Sequence, residues 1–221
     1  MQVKLITEFI GTFFLYLIIS LSAVAGFAGN FAPIAIGLGL TAIIFASGFR
    51  SKAHFNPAVT LAFLVTNNQP GKESFFYCIT IMVGAGLSAY AAFLIAPTDI
   101  DIAISTSFYN SESFALFPAL MSEFLFTFAL VWVILNVAIA NGNSGNGFYG
   151  LAIGFIVAAG AFSVGSISGA SFNPAVNFGL LIHKVIDIKL FLFYSAIQLI
   201  ASLLASLIFN LIEQKDKPIN Y

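Results

Sequence analysis

Ala53-His-Phe-Asn-Pro-Ala-Val59 and Ala170-Ser-Phe-Asn-Pro-Ala-Val176 are one phrase written twice, differing only at His54 and Ser171. Asn56 and Asn173 lie 117 residues apart. Asn is a preferred helix N-cap and Pro is favoured at the first helical position, so Asn56-Pro57-Ala58 and Asn173-Pro174-Ala175 each read as a helix start. The apolar pieces that follow, about 56–66 and 173–183, are too short to cross a hydrocarbon core ~30 Å thick. Each reads as a half-helix that dips into a membrane.

Other matches keep the order and nearly the offset. Thr7-Glu-Phe-Ile-Gly-Thr-Phe13 returns as Ser122-Glu-Phe-Leu-Phe-Thr-Phe128, and Ala35-Ile-Gly37 as Ala152-Ile-Gly154. The chain is therefore a duplication. It is a single domain, 1–221, with repeat 1 over about 1–96, a connecting loop over 97–113 and repeat 2 over about 114–213.

The 221 residues are 60% hydrophobic and only 8% charged. Soluble domains are about one-quarter charged, so this chain cannot coat a globule with solvated groups. That excludes a soluble enzyme and a disordered protein. A net charge of -1 excludes nucleic acid as a partner. A single cysteine, Cys78, leaves no disulfide framework and no cysteine-based metal site. An all-α membrane protein surrounded by lipid remains.

Turn signals at Gly26, Gly29, Asn30 and Pro33, and the run Asn141-Gly-Asn-Ser-Gly-Asn-Gly147, divide the long uncharged stretches. Six spans result, at 5–26, 33–50, 74–96, 115–140, 147–166 and 189–212. The first is too long, and lacks a basic start, for a cleavable signal peptide. Lys4, Arg50, Lys52, Lys72, Lys215 and Lys217, six of the eight Lys and Arg residues, fall on one side if both termini are cytoplasmic. Lys184 and Lys189 fall opposite, and the 97–113 connection carries Asp99, Asp101 and Glu112 without a base. Small residues (Gly84, Gly86, Ser88, Ala89; Ala201, Ser202, Ala205, Ser206) supply close helix contacts.

Three spans per repeat is an odd number, so repeat 2 enters from the opposite face. The half-helices then meet tip to tip at mid-depth, the geometry of an inverted-repeat transport site. Their positive ends face one another and disfavour cations, while Asn56 and Asn173 offer donors. The irregular backbone before them, 52–55 and 166–172, survives at depth only when buried or lining water. Such a path suits a small neutral molecule that both donates and accepts. Glu8 and Glu123 occupy equivalent positions and read as anchors for the loop amides, or as proton relays. His54 either lines the path or bonds to the backbone. No set of carboxylates or thiols surrounds it, so no metal site is expected. His183 and Lys184 are assigned to an outer loop.

These residues closely resemble the major intrinsic protein family, the aquaporins and aquaglyceroporins, over nearly the whole chain. The resemblance implies a right-handed bundle of six transmembrane helices plus two re-entrant half-helices. It also implies a homotetramer with one pore per subunit, passive conduction and no cofactor. The family's selectivity filter maps by spacing to Ile36, Ala161, Ala170 and Val176. Most members have Arg where this chain has Val176, and water-selective members have Phe and His where it has Ile36 and Ala161. The resemblance therefore implies a wide, apolar filter, unless Phe178 or a residue of the 97–113 connection refills it. Filters without Arg occur in a bacterial branch resembling arsenical-conducting channels, which points to neutral metalloid hydroxides such as arsenous acid. The compact chain, without long extensions, suggests a bacterial inner membrane.

The expected function is passive conduction of water and small uncharged solutes such as polyols. The alternative is a proton-coupled secondary transporter using Glu8 or Glu123. No nucleophile–base pair or phosphate loop supports an enzyme.

Overall fold

A computed structural model describes residues 1–105, 109 and 114–215. Glu112, Lys217 and the Lys215 side chain, used above for charge topology, lie outside the described residues.

The helices are α1 (Gln2–Ile19), α2 (Ala32–Ser51), α3 (Pro57–Val65), α4 (Gly71–Ile95), α5 (Pro97–Ser105), α6 (Leu116–Ala138), α7 (Tyr149–Ser168), α8 (Pro174–Ile182) and α9 (Ile188–Lys215). Six segments are long and apolar enough to span a membrane: Gln2–Val24, Gly29–Ser51, Gly71–Ile95, Leu116–Ala138, Tyr149–Ser168 and Ile188–Glu213. They coincide with the six predicted spans to within a few residues, and α3 and α8 are the two half-helices. At nine residues, each half-helix reaches only ~13 Å along its axis.

Three details escape the hydropathy reading. The first span ends in a π-helical segment, Ser20–Val24. The 97–113 connection opens with α5, because Pro97 can start a helix and Asp99 sits in its first turn. α7 runs two residues past 166, so the irregular backbone before α8 is 169–172, the same length as 52–55 before α3.

The packing alternates between the halves. α1 lies on α2 and α4, and α6 lies on α7 and α9. α2 crosses α7, α3 rests on α9, and α8 on α4. Glycine sets the closest crossings. A Cβ on Gly154 would collide with Thr41 Oγ1 and the Gly37 carbonyl of α2, and one on Gly84 would sit 2.9 Å from the Phe9 carbonyl of α1. Ser88 and Ala89 of α4 and Ala201, Ser202, Ala205 and Ser206 of α9 are buried, while Gly86 instead faces Phe178 and Ile182 of α8. The outer face is apolar too: Phe14, Leu38, Leu87 and Phe155 are all exposed. In water that surface would aggregate; in a bilayer it is solvated.

Candidate conduction site

The two loops that precede α3 and α8 share one backbone. Lys52, Ala53 and Phe55 have φ of 73°, 52° and 49°; Gly169, Ala170 and Phe172 have 83°, 52° and 48°. Left-handed backbone costs a non-glycine residue ~1 kcal/mol or more, so five of these six positions need compensation. Ser51 and Ser168 provide part of it. Their hydroxyls accept from the amides of Ala53 (3.1 Å) and Ala170 (3.0 Å). Tyr77 and Tyr194 then donate to the carbonyls of those two serines, at 2.9 and 3.0 Å.

One carboxylate completes each loop. Glu8 is fully buried and accepts from the amides of His54 (3.0 Å) and Phe55 (2.8 Å). Glu123, also fully buried, accepts from the amides of Ser171 (3.1 Å) and Phe172 (2.8 Å). The hydroxyls of Ser168 and Ser171 and the Gln198 amide, at 2.7–3.0 Å, add further donors. A buried carboxylate is costly without such partners. Gln198 also accepts from Asn177 at 2.8 Å, so the second loop carries a polar network that the first lacks.

At the tips, Asn56 and Asn173 cap their own helices through Ala58 N (2.8 Å) and Ala175 N (2.9 Å). Their Nδ2 atoms cross over. Asn56 donates to the Phe172 carbonyl and Asn173 to the Phe55 carbonyl, each at 2.9 Å. Each amide keeps a second N–H. Asn56, Asn173 and His54 all border one cavity of about 490 Å³.

The same cavity is bordered by Ile36, Ala161, Ala170 and Val176. The four come from α2, α7, the loop before α8 and α8 itself. Phe178 points elsewhere, against Phe191 with 6.2 Å between ring centroids. Tyr109 of the 97–113 connection does border the cavity, and it donates to the Ser168 carbonyl at 2.8 Å. Tyr109 therefore borders this cavity, whereas Phe178 is not among its lining residues.

His54 is buried, and its Nδ1 lies 3.1 Å from Thr60 Oγ1 rather than on a backbone atom. Its Nε2 has no partner among the described residues. No group of three or more His, Cys, Asp or Glu side chains suited to a metal occurs among the described residues. His183 is not a solvated loop residue. It is buried, with Tyr16 Oη 3.1 Å from Nδ1 and the Ala89 carbonyl 2.8 Å from Nε2. Sequence reading passed over Tyr77, Tyr194, Ser51, Ser168 and Gln198. The first four were findable, since the 117-residue offset maps Tyr77 onto Tyr194 and Ser51 onto Ser168. Gln198 breaks the repeat, because its counterpart is Ile81.

A second cavity, about 390 Å³, lies at the end of the bundle where α2 and α6 stop, and shares Ile44, Ala53, Ile134 and Ile153 with the first. Lys52 borders it, its ammonium 2.6 Å from the Asn68 carbonyl and 5.4 Å from the Phe63 ring centroid. Burial and the nearby Lys4 push the Lys52 ammonium below its ordinary value, and Glu73 pulls it back up.

The family model described as Major intrinsic protein matches residues 1–165 and 149–220. A protein described as "Probable aquaporin NIP-type" from Nicotiana alata is 31% identical over 222 residues, covering 98% of this chain and 80% of that protein. Nodulin-26 from Glycine max is 30% identical with the same coverage. The X-ray structure of the aquaglyceroporin from Plasmodium falciparum superposes with a TM-score of 0.77 over 98% of this chain and 97% of that one, at 23% identity.

Proposed function

This chain belongs to the major intrinsic protein family and is a passive channel for water and small solutes, not an enzyme; from that premise we propose that its solutes pass between the tips of α3 and α8. The observation that carries this reading is a single cavity bordered by Asn56 and Asn173 together with Ile36, Ala161, Ala170 and Val176. Solutes exchange hydrogen bonds with the free N–H of each Asn amide, and the two positive helix ends oppose cations. Pro57, Ala58, Pro174 and Ala175 start the half-helices and let them approach. Glu8 and Glu123 anchor the loops.

The filter of Ile36, Ala161, Ala170 and Val176 is wide and apolar and passes polyols and neutral metalloid hydroxides along with water. Tyr109 bounds its open side. The proton-coupled alternative is not favoured, because each buried carboxylate is committed to two loop amides. We further propose a homotetramer of four separate pores, built from repeats of about 1–96 and 114–213. It sits in a bacterial inner membrane with both termini cytoplasmic, as the positive-inside pattern favours. Stopped-flow permeability of proteoliposomes to water, glycerol, urea and arsenous acid is the test. Flux above that of empty vesicles is expected, and none for any of these solutes would overturn the reading.

A further inference from the structure

Lys52 and Gly169 occupy one position in two copies of the same loop. Their φ values, 73° and 83°, place both in the left-handed region. Glycine fits there without cost, whereas lysine does not. The first repeat thus carries a long cationic side chain on a backbone position that suits glycine.

Its surroundings show what the side chain does there. Asp, Glu, Lys and Arg are absent from the lining of the central cavity, among the described residues, and Lys52 alone represents them in the second cavity. Ala53, its neighbour, borders both. The ammonium is held at the Asn68 carbonyl and over the Phe63 ring, so its charge is fixed at one mouth of the path. At the filter, Val176 offers no charge. We infer that Lys52 is a specificity-determining residue, the fixed charge that repels cations from this mouth of the channel. This inference rests on the channel reading above.

The competing account is structural. Lys52 is the C-cap of α2, where a cation favours the helix dipole. That account gives no reason for ion permeability to change. Lys52→Gly separates the two, because it restores the residue found at the matching position and relieves the backbone.

The test uses the full chain in proteoliposomes, reading potassium and water permeability in the same vesicles. Lys52→Gly and Lys52→Gln are each expected to raise the potassium-to-water ratio roughly tenfold, as a unit charge acting over ~10 Å at an effective dielectric constant of ~20 implies. Lys52→Arg is expected to keep the wild-type ratio. A ratio within twofold of wild type for both Gly and Gln variants overturns the inference, as does an Arg variant that leaks like Gly. Absence of water flux in the wild type overturns the channel reading instead, and this inference with it.

Discussion

At the residue scale, the loops show how little side-chain chemistry a re-entrant turn requires and how closely it must be placed. Glu123 takes five hydrogen bonds on two oxygens. Glu123→Gln turns one of those oxygens into a donor facing donors. We expect a loss of ~1–3 kcal/mol, read as a lower unfolding midpoint in detergent. Val176 poses the opposite case. Val176→Arg adds a cation and five donors to the cavity wall at the proposed filter, so glycerol permeability should drop at least roughly tenfold while water permeability changes far less. Unchanged glycerol flux would remove Val176 from the filter. His183 is pushed below its ordinary value by burial, partly offset by the Ala89 carbonyl. The folded state therefore binds a proton there less readily than the unfolded chain, which takes one up below about pH 6.5. Stability should fall as pH drops through that value, and His183→Gln should flatten the dependence.

At the element scale, nearly all of the architecture is readable from the chain. Charge-free runs mark the spans, Gly and Pro divide them, and Asn-Pro marks the half-helices. The left-handed loop residues are not readable. Lys52, Phe55 and Phe172 have no intrinsic bias toward that region, and they are held there by Ser51, Ser168 and two glutamates from distant helices. Nor does hydropathy register the π-helical end of the first span, since its residues belong to the same apolar run as those before it. The candidate site was legible at its tips because the Asn caps act locally. Its supporting residues act across the fold and surface only through the repeat offset. The α2–α7 crossing yields a prediction at this scale. Gly154→Val would drive a side chain into Thr41 and the backbone of Gly37, and the backbone cannot move aside. Loss of the folded monodisperse species on size-exclusion chromatography is the expected outcome.

At the scale of the whole molecule, the two halves share their packing, their loop backbone and their crossed Asn bonds, but not their polarity. Repeat 1 carries Lys52 beside the second cavity, and repeat 2 carries the Gln198–Asn177 pair beside Glu123. A passive channel dissipates gradients without storing them. Glycerol uptake into proteoliposomes should be unaltered, within about twofold, when a proton gradient is imposed or collapsed with an uncoupler; a twofold difference is only ~0.4 kcal/mol, less than any useful coupling energy. Uphill accumulation driven by protons would reject passive conduction. The reciprocal bonds from Asn56 to Phe172 and from Asn173 to Phe55 also bear on biosynthesis. The ribosome finishes residue 56 more than a hundred residues before it makes residue 172. Through that interval the first stub helix waits with an amide and a carbonyl unmatched, so it cannot settle into lipid until its twin arrives. Halves synthesised as separate polypeptides should therefore each be short-lived and should rescue one another when made together.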